Sequence, residues 1–328
     1  MTYSSGGLIQ ATDYNGFVST TAGANLNDLW ATGSTDKGYG QSALSTVSAL
    51  GTISATQWAT LVNTISTVAS HQGTGITSRT APTAGNTITI LSNLNTDLTN
   101  LTTNRGNAVG SGTQYTSWTG TSAKTSGTGS GASAWTITFT HTMTFASADA
   151  ARYFWNAGGI VKWQVGKSST GTNADTEWND LASTLCGSIF ITGRVNGAAQ
   201  TINGTSYTGT TKSGGSGSPT TLATTTGWYQ LSTSNTVLYK QFADTAPYNN
   251  QYIELNARTA SSGTQLVLTT TWVDPGSSFG PDNISGGSDS SGVSFGSAPA
   301  TLVSYIPPSG TYLTTASWGT PSVAATVS

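Results

Sequence analysis

Hydrophobic and polar positions alternate with two different periods along this chain, and the change falls near its first third. Trp58, Leu61, Val62, Ile65 and Val68 recur at helical spacing. They follow Ser54 and Gln57, which are placed as a capping box, with Ile53 placed to staple onto Trp58. Gly73, after His71 and Gln72, suits a left-handed helix end. Ile9–Val18 repeats the same start, I-x-A-T-[DQ]-[YW]-x-x-[FL]-V, at an offset of 44 residues from Ile53–Val62. A third helix is expected over 88–104, where Leu91, Leu94, Leu98 and Leu101 are spaced 3, 4, 3. That spacing suits a core helix or the seam of a short oligomeric coiled coil.

From Trp135 to Phe145 the period is two, with threonine at each alternate position and large residues between. This is a half-buried strand with a bulky face and a hydroxyl face. Further strands are expected at 160–165, 188–192, 236–242, 251–258, 264–273 and 301–306, and one short helix at Thr176–Leu185. Asn156–Gly159 reads as a glycine turn between strands. The fold class is therefore α+β: a helical part of about three helices over 1–110, a Gly/Ser/Thr-rich linker or loop over 111–134, and an antiparallel β-sandwich over 135–328.

Composition sharpens the picture. Only 7% of the 328 residues are charged, 11 Lys and Arg against 13 Asp and Glu. About 25% is ordinary. A net charge of −2 supplies no basic field for nucleic acid. Ten Trp, twelve Tyr and eight Phe argue against disorder. Cys186 alone excludes a disulfide framework or a cysteine metal site and reads as a buried small hydrophobe. No apolar run reaches the ~18 residues of a membrane span, and no secretory signal is visible at the start.

Candidate chemistry is sparse. Two Gly-x-Ser-x-Gly matches, Gly276–Gly280 and Gly292–Gly296, lack the strand, helix and later histidine that a hydrolase elbow needs. Asp175, Glu177 and Asp180 read as negative charge in the first turn of a helix. Asp274, Asp282 and Asp289 lack EF-hand spacing. His71 suits a helix C-terminus and His141 the bulky strand face. Asn100, Asn203 and Asn283 stand in glycosylation-type triplets that carry little weight in so Thr-rich a chain. Trp228, Tyr229, Tyr239, Tyr248 and Tyr252, with Phe242, form an aromatic group suited to core packing or to stacking on sugar faces. No catalytic residue, cofactor or metal is expected.

Three sets of segments resemble virion structural proteins of tailed phages, of the marine T4-like cyanophage type. They are the helix-start repeat with Gly38-Tyr39-Gly40-Gln41 and His71-Gln72-Gly73; Ala151–Gly159 followed by Thr176–Leu181; and Gly227–Leu231 with Tyr248–Ile253. Arg152–Gly159 is similar to an R-[YF]-F-F-N-[AS]-G-G signature, with Trp155 where the signature has Phe. The resemblance implies a non-enzymatic tail, neck or fibre-type component of the virion, made in the host cytoplasm. Its expected partners are other virion proteins, and the Leu91–Leu101 seam with the uncharged sandwich faces adds identical copies, as a trimer. A host-glycan adhesin and a capsid decoration protein are the alternatives.

Overall fold

The computed structural model describes residues 10–19, 25–85, 93–110, 116–118, 135–168, 173–275, 283–284, 287–288 and 299–328. The chain is mixed helix and antiparallel sheet. Among the described residues the first part holds α1 (Ala11–Val18), α2 (Leu26–Trp30), α3 (Ala55–Gln72) and α4 (Leu94–Thr103). The repeat explains how α1 and α3 begin and why they meet. Each starts at the Ala of its own copy, after Gln10 or Ser54. The Gln10 amide donates to Asp13 Oδ2 at 3.0 Å, while Ser54 and Gln57 form the reciprocal capping box. The equivalent aromatics of the two copies, Tyr14 and Trp58, then pack edge to face, with centroids 5.4 Å apart. Gly73 ends α3 in the left-handed conformation.

The remaining elements are β1 (Thr116–Trp118), β2 (Trp135–Thr144), α5 (Ala148–Asn156), β3 (Ile160–Gly166), α6 (Asn173–Asp180), β4 (Ser188–Ile191), β5 (Gln200–Ile202), β6 (Thr205–Tyr207), β7 (Thr210–Ser213), β8 (Thr221–Leu222), β9 (Thr236–Phe242), β10 (Tyr252–Ala260), β11 (Gln265–Asp274), β12 (Asn283–Ile284), β13 (Gly287–Ser288), β14 (Ala300–Ile306) and β15 (Ser322–Val327). One sheet runs β1-β14-β3-β4-β7, another β15-β2-β11-β10-β9-β8, and β5-β6 and β12-β13 are small hairpins. Trp163 of β3 donates from Nε1 to Thr270 Oγ1 of β11 at 2.8 Å and packs on Tyr239 of β9, which ties the two large sheets together.

β2 keeps its expected alternation. Ile137, Phe139, His141 and Met143 are fully buried, and the intervening threonines are half-buried. Register places those threonines in rows with polar neighbours: Thr326, Thr140, Thr269 and Asn256 run across β15, β2, β11 and β10. The outer face of this sheet is thus largely hydroxyl along β15, β2 and β11, while Glu254 and Arg258 of β10 and Lys240 of β9 add charge farther across it. Much of the scarce charge is paired. Arg79 meets Asp97 and Arg105 meets Asp36, the Arg79–Asp97 pair and the Arg105 side chain being largely buried.

Two expectations are corrected. Asn156–Gly159 does not join two strands. It closes α5, a helix absent from the sequence reading, with the Gly159 amide returning to the Phe154 carbonyl at 2.9 Å. The expected Thr176–Leu185 helix starts earlier, at Asn173, and finishes as a π-helical turn over Leu181–Leu185. Asp180 therefore lies at the end of α6, so the acidic residues do not all serve a first turn. Most of 111–134 lies outside the described residues, and β1 within it pairs with β14. Buried side chains of the helical part and of the sheets join in a common cluster, from Ala11 to Trp318.

Candidate functional site

Three segments far apart in sequence, Gly38–Gln41, Arg152–Gly159 and Gly227–Leu231, converge on α5. Ser147 caps the helix, its Oγ accepting the Ala150 amide at 3.0 Å. Each following residue of the signature makes a different contact. Arg152 pairs with Asp149 at 2.8 Å. Tyr153 closes on Gly40, where an added Cβ would sit 2.4 Å from the ring and φ is +69°. Phe154 packs on Phe145 and Tyr305. Trp155 stacks on Trp228, centroids 5.5 Å apart and 19° from parallel.

Asn156, 1% exposed, is the hub. Its Nδ2 donates to the Gly38 carbonyl at 2.8 Å, and its Oδ1 accepts the Tyr229 hydroxyl at 2.7 Å. Gly38–Gln41, Arg152–Gly159 and Gly227–Leu231, far apart in sequence, thus meet at one amide side chain. Burial holds the Tyr229 hydroxyl protonated well above the usual phenol range, so it stays a donor. Gln41 extends the joint, donating to Ser317 Oγ at 3.0 Å and accepting the Thr314 amide at 2.9 Å. Asp36 adds a further tie, binding Arg105 and the Asn196 amide. All of these contacts hold one part of the chain to another.

The five aromatics proposed for sugar stacking are dispersed. Trp228, Tyr239 and Tyr248 are buried, and the Tyr239 hydroxyl donates to the Cys186 carbonyl at 3.2 Å. Tyr229 is committed to Asn156. Tyr252 is half-buried, with Lys240 Nζ 3.6 Å from its ring centroid and Phe242 alongside. No joint sugar platform is formed by these residues, because their rings fill the space within and beside the sheets. Leu94, Leu98 and Leu101 are likewise buried, in the chain's own core. The proposed oligomer seam is therefore internal to the subunit, and Leu91 lies outside the described residues.

Glu177 and Asp180 meet a residue the sequence reading did not single out, Asp244. Their carboxylate oxygens lie within 4.8 Å of one another. Among the described residues these three could hold a hard cation. Glu177 is buried and accepts the Thr245 amide at 3.4 Å. Desolvation, then repulsion from Asp244 and Asp180, raises its carboxyl above the ordinary range. No sequence pattern joins Asp244 to Glu177, since the two are brought together by tertiary packing.

Both histidines are fully buried. His71 is fully buried, and neither ring nitrogen has a hydrogen-bond partner; Tyr39 packs edge to face on it at 5.2 Å. Desolvation lowers its pKa to about 4, so at the end of α3 it is a neutral core group that does not bond the last carbonyls. His141 is buried on the bulky face of β2, as expected. Cys186 is buried, and desolvation pushes its thiol up to about 12. Asp274 accepts the Gln251 side-chain amide at 3.0 Å. Asp282, Asp289, both Gly-x-Ser-x-Gly matches and the side chains of Asp175 and Asn283 lie outside the described residues.

A groove of about 480 Å³ runs beside the first half of α3, lined by half-buried Trp30, by Tyr14 and by hydroxyl and amide side chains such as Gln41, Ser42, Thr60 and Thr64. Among the described residues its lining contains no charged one. Comparison of the chain with protein-family models, curated proteins and solved structures finds no match.

Proposed function

We propose that this chain is a non-catalytic structural protein that works by assembling with copies of itself, of the kind that builds tails, necks or fibre-type appendages of tailed-phage virions. The observation that carries the reading is the convergence on Asn156. Three of the segments resembling virion proteins, Gly38–Gln41, Arg152–Gly159 and Gly227–Leu231, fasten parts of the chain to one another, which suits a scaffold. In the same reading the two large sheets face one another as a sandwich, supported by the Trp163–Thr270 bond. The hydroxyl-lined outer face supports subunit contact, because hydroxyls and amides pair across an interface at less desolvation cost than charges.

The three-fold state expected from the leucines no longer has its seam, so the order of the assembly is open to another contact. Electron microscopy of the concentrated protein tests the reading: ordered particles or polymers are expected, and dispersed single subunits at every concentration would overturn it. Antibody labelling of phage particles then separates an appendage from a capsid decoration protein.

A second reading, attachment to a neutral host-surface glycan, is favoured by the uncharged groove at Trp30 rather than by the Trp228–Tyr252 aromatics. A glycan array with signal lost in Trp30→Ala would support it, and an array with no signal would remove it.

A further inference from the structure

The four outer strands of the two large sheets differ in one respect. β1 has three residues, β8 has two, and β7 has four and carries Lys212. β15 has six, Ser322-Val323-Ala324-Ala325-Thr326-Val327, with no charge, proline or bulge among them. Natural edges are normally blunted by such devices.

The register shows which backbone groups of β15 are open. Ser328 and Thr138 exchange both of their hydrogen bonds, at 2.9 and 3.0 Å. In an antiparallel ladder, bonded pairs alternate with non-bonded ones. Thr326–Thr140, Ala324–Thr142 and Ser322–Thr144 are then the bonded pairs. The N–H and C=O groups of Val323, Ala325 and Val327 point away from β2, and they meet no partner among the described residues. Val323 and Val327 are only half-buried against the core.

We infer that a second copy of this chain pairs its β15 with this one across a two-fold axis at Ala325. The inference rests on the self-assembly reading and supplies its interface. An antiparallel pairing of Ala325 with its own copy sets Val323 opposite the partner's Val327, and each of these pairs exchanges both hydrogen bonds. Every outward donor and acceptor of the strand then has a partner. On the core side, valine covers valine and completes its burial. On the outer side, Ala324 meets the partner's Thr326.

The strand's own pattern favours a copy. Pairing about Ala325 sets valine opposite valine on one face and alanine opposite threonine on the other, and Ser322–Ser328 contains no charge that would meet its like near the axis. The contact is ~20 Å long at about 3.4 Å per residue, and it continues the threonine rows of β2 and β11 from one subunit into the next.

The test is sedimentation of the full chain and two variants. Ala325→Pro removes an outward N–H while leaving the β2 ladder intact, a position where edge strands accept proline. Ala324→Lys places like charges near the axis on an exposed site. Each is expected to weaken dimerisation by about tenfold or more, with an unchanged thermal transition at concentrations where the unaltered chain is monomeric, and mixing Ala324→Lys with Ala324→Glu is expected to restore it. If the unaltered chain associates and both variants associate equally well, this interface is wrong while self-assembly stands. If the unaltered chain remains monomeric at every concentration, the self-assembly reading falls, and the interface with it.

Discussion

Lowering the pH from 7.5 to 4 perturbs one group whose response can be worked through. His71 has an ordinary pKa of 6.5, and burial lowers it to about 4 in the folded chain. Desolvation alone causes the shift, and neither nitrogen has a hydrogen-bond partner to compensate a charge. The folded state thus favours the neutral ring, whereas the unfolded chain takes up a proton near pH 6.5. The stability contributed by neutral His71 is complete above pH 6.5. It is lost as the pH falls toward 4 and levels off below that. At 1.36 kcal/mol per unit, the loss by pH 4 is about 3 kcal/mol. Urea denaturation of the unaltered chain and of His71→Leu, at pH 7.5, 6, 5 and 4, isolates the term, because the carboxylates titrate in both. His71→Leu is expected to lose about 3 kcal/mol less over that interval. Parallel losses in the two proteins would refute the argument, as would an imidazole titrating near 6.5 by NMR.

Asn156→Ala strands the Gly38 carbonyl and leaves the Tyr229 hydroxyl only the Arg152 carbonyl at 3.5 Å, and should cost about 3 kcal/mol, from 1–3 kcal/mol for each buried group that loses its partner; thermal and chemical denaturation measure it. Leu98→Ala should destabilise the subunit by about 2–5 kcal/mol while leaving the mass of the assembly unchanged at temperatures where the subunit stays folded; dissociation without destabilisation would restore the leucine seam. The raised carboxyl of Glu177 makes its ionised form unfavourable in the fold, so stability falls as pH rises through its folded pKa. Glu177→Gln should therefore raise stability at neutral pH relative to the unaltered chain and remove that part of the pH dependence, measured by the same denaturation series.

What could be read in the sequence was local. The Ser54–Gln57 box, the Gly73 cap and the alternation of β2 depend on neighbours within a few residues, and they appear where expected. α5 is not legible in the sequence because Tyr153, Phe154 and Trp155 look like strand residues, and their helical role depends on Ser147, Trp228 and Gly40. β15 is short, with alanines where a strand signal would want bulk. The leucines show a different limit. A 3-4 spacing states that one helix face is apolar, and it is the same whether α1 and α3 or a second subunit cover that face. Likewise, an aromatic-rich stretch does not say whether its rings lie in a core or on a surface. Asn156 and Asp244 gain their importance from residues tens of positions away, and no spacing rule reaches that far.

The central claim, a structural protein that assembles through uncharged faces, is tested most directly by sedimentation velocity over a concentration series in 0.05 M and 1 M NaCl. Interfaces built from hydroxyls, amides and backbone ladders carry little charge to screen, even at ~3 Å Debye length in 1 M salt. The account predicts concentration-dependent association that is equally strong, or stronger, in the high salt. A single monomer boundary at every concentration, or association that collapses as salt is raised, would contradict it.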